Sequence, residues 1–202
     1  SSKRKLSKRK DPEAAVSFYH EEGYPIESVL EYLLNLANSN FEDWRKVNSS
    51  ASLWDFPFKL EKMGVSGALF DLVKLTDISK NVISTIPAEK VYKELKLWSE
   101  KFDVEFFKTI VENEEKTIKF LEIDRTGKKP RKDISKWSDI KSIMSYMFDS
   151  NFENYEFSET MEKDEVKRII SEYIKVYNHN DNKEEWFNRA KDMSETLGYA
   201  KD

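Results

Sequence analysis

The sequence contains no cysteine and only two histidines, His20 and His179, among its 202 residues. Without cysteine the chain cannot form a disulfide or a thiolate-ligated metal site. The two histidines lie far apart and lack the spacing of metal ligands, so we expect no bound metal, structural zinc included. A lack of cysteine also fits a reducing compartment, and we expect a cytoplasmic protein.

Long apolar runs are absent as well. No stretch approaches the ~20 consecutive apolar residues that a membrane-spanning helix needs, so we expect no membrane partner. The formal net charge is −4 although 36% of the residues are charged, which excludes a uniformly basic coat for nucleic acid. Any nucleic acid would therefore have to contact local basic patches.

Glycine and proline are also scarce, at five each, and the apolar residues recur mostly at helical spacing. No segment alternates with period two for long enough to indicate a sheet, and no fixed repeat indicates a solenoid. We therefore predict an all-α protein built as an irregular helical bundle or cage. Asp11, Pro12 and Glu13 predict the start of the first helix, with Asp11 as its N-cap, and Gly23 predicts its end.

Two short segments concentrate positive charge on this acidic chain. The first, residues 2–12, carries six cations before its first acid, Asp11. The second, Arg125 to Lys136, carries six cations and one acid, a local charge of +5. Lysine and arginine in loops are natural ligands of phosphate groups, although a solvated tail or loop is an alternative for both segments. We expect Trp137, which follows the second segment, to be buried rather than stacked on a base.

The first basic segment resembles a known motif. Lys5-Leu6-Ser7-Lys8-Arg9 is similar to the KMSKS-type loop of class I aminoacyl-tRNA synthetases in its glutamyl form. The resemblance continues through Glu22-Gly23-Tyr24-Pro25 and Glu31-Tyr32-Leu33-Leu34-Asn35-Leu36, and again at Phe70-Asp71-Leu72-Val73-Lys74-Leu75. Near the end, Leu197-Gly198-Tyr199-Ala200 is similar to the last helices of glutamyl-tRNA synthetases.

This resemblance implies that the chain is the carboxy-terminal portion of such a synthetase. The sequence contains neither a His-x-Gly-His arrangement nor the parallel α/β pattern of a nucleotide-binding domain. Its first residue is serine rather than methionine. We expect residues 1–11 to be the tail of the catalytic domain and residues 12–86 to be a helical stem-contact region. Residues 87–202 would then form a helical anticodon-binding domain that is truncated at its carboxyl end.

The resemblance also implies residue roles. Lys8 would be catalytic by neutralising the triphosphate during adenylate formation, and Lys5, Ser7 and Arg9 would complete the ATP-binding loop. In the intact enzyme ATP and Mg²⁺ would be the cofactors, and glutamate and its tRNA would be the substrates. We expect the intact enzyme to be a monomer. This chain alone would be inactive. The expected tRNA-binding residues are the cations of the second basic segment: Arg125, Lys128, Lys129, Arg131 and Lys132.

Two other functions remain open from the sequence. The chain could be a free-standing helical RNA-binding or regulatory module derived from a synthetase, which the upstream coding sequence would decide. It could instead be a helical protein-interaction domain that never meets RNA. In that case tRNA binding would lack the steep salt dependence that phosphate contacts produce.

A third charged segment is acidic. Residues 153–165 contain six acids and one lysine, which would repel RNA. We interpret the segment as the solvated start of a helix, with Asp164 and Glu165 in its first turn at the positive end of the helix dipole. Without a histidine or an apolar pocket nearby, these carboxylates do not indicate a hydrolase.

Overall fold

A computed structural model describes residues 5–64, 67–125, 127, 129–148 and 162–199. These ranges contain ten α-helices and no strand, which confirms the predicted all-α class. The helices are α1 (Val16–Glu22), α2 (Ile26–Ala37), α3 (Phe41–Val47), α4 (Leu72–Ser84), α5 (Ala88–Phe102), α6 (Val104–Glu112), α7 (Glu114–Glu122), α8 (Trp137–Met144), α9 (Lys163–Val176) and α10 (Lys183–Thr196). Short 3₁₀ turns lie at Pro12–Ala14, Leu53–Asp55, Leu60–Lys62 and Ser145–Met147.

The first helix begins later than the sequence predicts. Pro12–Ala14 form only a 3₁₀ turn, and the extended backbone of Ala15 (φ −105°, ψ 136°) separates it from α1. Asp11 occupies the N-cap position of that 3₁₀ turn, although its carboxylate makes no capping hydrogen bond there, whereas the N-cap of α1 is Ala15. Gly23 ends α1 as predicted, in the left-handed conformation that glycine adopts without strain.

Helices α9 and α10 begin with acidic first turns. Asp164 and Glu165 lie in the first turn of α9, as the sequence predicts, whereas the acidic segment before Glu162 lies outside the described residues. Helix α10 has a capping box, in which Asn182 accepts from the main chain of Glu185 and the Glu185 carboxylate accepts from Asn182. The two helices contact each other.

The chain divides into two compact units, Ser1–Asp149 and Ser150–Asp202. The predicted boundary near Pro87 falls inside the first unit and stays a prediction about functional regions. That unit has a smaller core cluster around Tyr24, Tyr32 and Leu75, where α2 packs on α4. Its larger core cluster lies where α5 packs on α6, α7 and α8, and its buried members are Ile83, Ala88, Val91, Tyr92, Leu95, Phe106, Ile110, Phe120, Leu121, Ile134, Trp137, Ile140 and Met144.

A buried polar contact joins the elements around the smaller cluster to the segment before α8. Ser79 on α4 donates a hydrogen bond of 2.5 Å to the carbonyl oxygen of Ser135, and its Oγ lies 2.9 Å from Oγ of Ser28 on α2. All three residues are buried, so each polar group needs the partner it has. This contact fixes the end of the second basic segment against α4.

Candidate nucleotide loop and candidate RNA-contact loop

Residues 5–11, which we call the basic turn, are closed by their own main chain. The carbonyl oxygen of Ser7 accepts hydrogen bonds of 2.8 Å from the amides of Lys10 and Asp11. In return the Ser7 amide donates to Oδ2 of Asp11, also at 2.8 Å. Asp11 is only 5% exposed, so its carboxylate lies on the inner side of the turn.

The cations of the basic turn lie on its outer side. Lys5, Lys8, Arg9 and Lys10 are exposed, whereas Ser7 is half-buried. The turn therefore places the predicted ATP-binding residues in one short segment. Because the amide and carbonyl of Ser7 already have partners, its hydroxyl is the group through which it would contact a phosphate.

Helix α1 connects the basic turn to the start of α8. The amide of Trp137 donates a 2.8 Å hydrogen bond to the carbonyl oxygen of Gly23, and Oγ of Ser138 donates to the carbonyl oxygen of Glu22 at 2.7 Å. Nε1 of Trp98 on α5 donates to the Glu21 carbonyl at 3.1 Å. The orphan carbonyls at the end of α1 are thus satisfied by residues more than 70 positions away.

Arg125 is buried rather than presented to solvent. Its Nε donates to the Leu121 carbonyl at 2.6 Å, and its Nη1 donates to the carbonyls of Ile83 at 2.8 Å and Ile86 at 3.0 Å. Burial, assisted by the positive charge of Arg131, lowers the pKa of Arg125 below its ordinary value. The guanidinium ties the end of α4 to the end of α7, which is a structural role.

Arg131 is also held by protein groups. It forms a two-pronged ion pair with Asp133, with hydrogen bonds of 2.7 Å and 2.5 Å. Its guanidinium carbon lies 4.7 Å from the centre of the Phe120 ring, and Nη1 donates to the Phe120 carbonyl at 3.2 Å. The hydrogen bonds from Arg131 hold the pKa of Asp133 below its usual range. Only 15% of the Arg131 side chain is exposed, so little of it could reach a phosphate.

The lysines of the second basic segment differ in their surroundings. Lys129 is exposed, and Lys132 is exposed with its Nζ donating to the Asn81 side chain at 2.7 Å. Lys136 pairs with Glu22 of α1 and lies over the Tyr24 ring. Lys128 lies outside the described residues. The structure therefore separates the two arginines, which hold the loop together, from Lys129 and Lys132, whose ammonium groups lie at the surface.

Two tryptophans near basic residues have core contacts. Trp137 is 4% exposed and belongs to the larger core cluster, as the sequence predicts. Trp44 packs edge-on against Phe56, with the Arg45 guanidinium 5.1 Å from its ring centre. Arg45 itself pairs with Glu31 at 3.2 Å and donates to two carbonyls of the following loop. Arg45 therefore holds its own loop in place.

The first unit has an apolar groove that the sequence did not predict. It encloses about 360 Å³ between α2 and the loop after α3. Trp54 is 87% exposed at its edge, and such apolar surfaces are typical of contact sites. The cluster of aromatic residues at positions 54–58 was the available signal, but only the fold brings it next to α2. The lining residues are Leu30, Leu34, Leu53, Trp54, Phe56 and Phe58.

Comparison with curated proteins identifies the relatives of this chain. The glutamate–tRNA ligase of Clostridium perfringens is 47% identical over 207 residues, which cover 100% of this chain and 38% of that ligase. The ligase of Clostridium beijerinckii is 45% identical over 98% of the chain, and that of Acetivibrio thermocellus is 42% identical over 98%. The chain is homologous to glutamate–tRNA ligases. The resemblance predicted from the basic turn and the helices after it is confirmed.

The homology covers the whole chain but only part of each ligase. The chain spans 38% of the Clostridium perfringens ligase, 37% of that of Clostridium beijerinckii and 36% of that of Acetivibrio thermocellus. No protein-family model matches the chain. Of the helices that the structure describes, none combines the length and the apolar character that crossing a bilayer requires.

Proposed function

We propose that this chain is the tRNA-binding carboxy-terminal portion of a glutamate–tRNA ligase, which joins glutamate to its tRNA with ATP through a glutamyl-adenylate. The observation that carries the proposal is homology to these ligases at 47% identity along the whole chain. In the intact enzyme ATP and Mg²⁺ serve the activation step, and glutamate and its tRNA are the substrates. We further propose that the intact enzyme is a cytoplasmic monomer and that this chain alone is inactive.

The basic turn contributes to adenylate formation. Lys8 neutralises charge that develops on the triphosphate, while Lys5, Arg9 and the hydroxyl of Ser7 bind the phosphates. The support for these roles is the match of residues 5–9 to the family loop together with the exposure of the three cations. A lysine on a short surface turn can contact phosphate during reaction and release it afterwards.

The helical body places the tRNA. We propose that residues 12–86 contact the stem and that residues 87–202 form the anticodon-binding region. Lys129 and Lys132 provide phosphate contacts in this scheme, because their ammonium groups are at the surface. Arg125 and Arg131, predicted as direct ligands of tRNA, instead keep the loop in shape through their protein contacts.

Kinetics on the full-length ligase that contains this chain test the role of Lys8. We expect Lys8→Ala to lower ATP–pyrophosphate exchange about 100-fold, as removal of a transition-state charge contact does. Lys10→Ala is the matched control, since it removes the same charge from the same turn. Equal effects of both substitutions would show that only net charge matters and would contradict the assignment of Lys8.

Binding and exchange measurements on the isolated chain test the proposal that it binds tRNA but is inactive alone. It should bind tRNA weakly, with an affinity that falls steeply with salt, and should catalyse no exchange of pyrophosphate into ATP. Exchange by the isolated chain would refute the proposal that this chain alone is inactive. Salt-independent tRNA binding, or none, would favour the protein-interaction domain instead.

A further inference from the structure

The basic turn contains a pair of residues that hold each other, and neither belongs to the exposed cations. Asp11 accepts the Ser7 amide with its carboxylate and donates its own amide to the Ser7 carbonyl, both at 2.8 Å. Lys8, Arg9 and Lys10 lie between the two partners. The turn is therefore closed by a reciprocal contact across its base.

This closure of the turn opposes the electrostatic repulsion between its cations. Three consecutive cations repel one another, and a tight turn brings their charges closer than an extended chain would. A side-chain carboxylate that accepts a main-chain amide four residues earlier offers the backbone a local alternative to extension. Asp11 is 5% exposed, whereas Lys8, Arg9 and Lys10 are exposed, so the carboxylate lies beneath the turn and the cations lie at its surface.

The carboxylate of Asp11 has no such role in the helix that follows. It makes no capping hydrogen bond to the 3₁₀ turn Pro12–Ala14, although its position before Pro12 is that of an N-cap. The Asp11 carbonyl does accept from the Ala14 amide at 2.9 Å, so the main chain of Asp11 joins the basic turn to the segment leading into α1. The side chain points backwards, to the turn that carries the cations.

We propose that Asp11 is a positioning residue that holds Lys8 and Arg9 in the geometry that contacts the triphosphate. The proposal rests on the function proposed above and adds a residue that touches no substrate. The carboxylate of Asp11 acts through its hydrogen bond to the Ser7 amide. That bond fixes the backbone from which the side chains of Lys8 and Arg9 extend. Pre-set geometry of this kind raises the rate of a reaction rather than the affinity for the free substrate.

The test compares Asp11→Ala, Asp11→Asn and Glu13→Ala in the full-length ligase that contains this chain. Asparagine keeps an oxygen that can accept the Ser7 amide, whereas alanine removes it. Glu13→Ala is the control for loss of a nearby acid. We expect Asp11→Ala to lower kcat for ATP–pyrophosphate exchange about tenfold with little change in KM for glutamate, and Asp11→Asn to restore most of the rate. Hydrogen exchange of the peptide containing residues 5–11 should be faster only in Asp11→Ala.

The outcomes separate this inference from the proposed function. If Lys8→Ala abolishes exchange activity but Asp11→Ala leaves kcat unchanged, Asp11 has no positioning role and the proposed function stands. If Asp11→Asn is as impaired as Asp11→Ala, the hydrogen-bond mechanism is wrong. If Lys8→Ala itself has no effect, the proposed role of the turn fails first.

Discussion

Nη1 of Arg125 donates a 2.8 Å hydrogen bond to the carbonyl oxygen of Ile83, near the end of α4. The two residues are 42 positions apart, and the same guanidinium also bonds the carbonyls of Leu121 and Ile86. Carbonyls at helix ends have no partner within their own helix, so a buried arginine can serve two helix ends at once. A residue of a basic loop thereby becomes part of the scaffold that carries the loop.

Replacement of Arg125 tests this structural role. We expect Arg125→Ala to lower the free energy of unfolding by about 2–4 kcal/mol, because the carbonyls of Leu121, Ile83 and Ile86 lose the hydrogen bonds that the guanidinium donates. Arg125→Lys should recover little, since one ammonium cannot reproduce the forked geometry of a guanidinium. Urea unfolding followed by circular dichroism measures both, with Lys129→Ala as the control at an exposed cation of the same loop. A loss of tRNA affinity by Arg125→Ala at unchanged stability would contradict the structural role.

Replacement of Gly23 tests the junction between α1 and α8. Its φ of +87° is strained for other residues, and a Cβ there would lie 3.0 Å from Nε1 of Trp98 and 3.1 Å from the amide nitrogen of Trp137. We expect Gly23→Ala to lower the free energy of unfolding by about 1–3 kcal/mol. Gly67→Ala is the matched control, because a Cβ at Gly67 meets nothing within 4 Å. Equal stabilities of the two variants, measured by urea unfolding, would show that the junction tolerates a side chain.

The salt dependence of tRNA binding tests the surface lysines of the second basic segment. We expect Lys129→Ala and Lys132→Ala each to reduce the slope of log affinity against log salt concentration by about one, because each removes one phosphate contact. Fluorescence anisotropy with labelled tRNA over a range of salt concentrations provides the slope. Lys119→Ala is the control, since this exposed lysine pairs with Glu115 on α7. Unchanged slopes for both loop variants would exclude this loop from the tRNA interface.

The ion pair between Arg131 and Asp133 predicts a pH dependence of stability. The hydrogen bonds from Arg131 lower the pKa of Asp133 below its ordinary value of 3.8. The pair therefore stabilises the fold above that value, and the contribution is lost as the pH falls through the lower pKa of the folded state. We expect Asp133→Asn to be less stable than the wild type near neutral pH, and the difference to shrink in acid.

Urea unfolding at several pH values measures this difference. Glu61→Gln, at an exposed carboxylate, is the control and should show no comparable convergence with the wild type. A difference between Asp133→Asn and the wild type that stays constant from neutral to strongly acidic pH would mean that the charge of Asp133 contributes nothing.

Local sequence was sufficient for some parts of the fold. Helix α1 ends at Gly23, and Asp164 and Glu165 lie in the first turn of α9, as predicted, because each feature depends on the backbone preference or charge of one residue. Trp137 is buried, as predicted. The predicted start of α1 is wrong: the helix begins at Val16, because the backbone of Ala15 is extended, and no sequence pattern predicts that break.

The sequence by itself determined the all-α class and the homology to glutamate–tRNA ligases, because helical periodicity and motif spacing depend only on the order of residues. Only the tertiary structure decided which cations of the second basic segment are held inside. Arg125 and Lys129 carry the same charge in the same loop, but of these two it is Arg125 that donates to the carbonyls of Ile83 and Ile86. Burial depends on partners brought together from distant positions, and a run of like charges does not encode them.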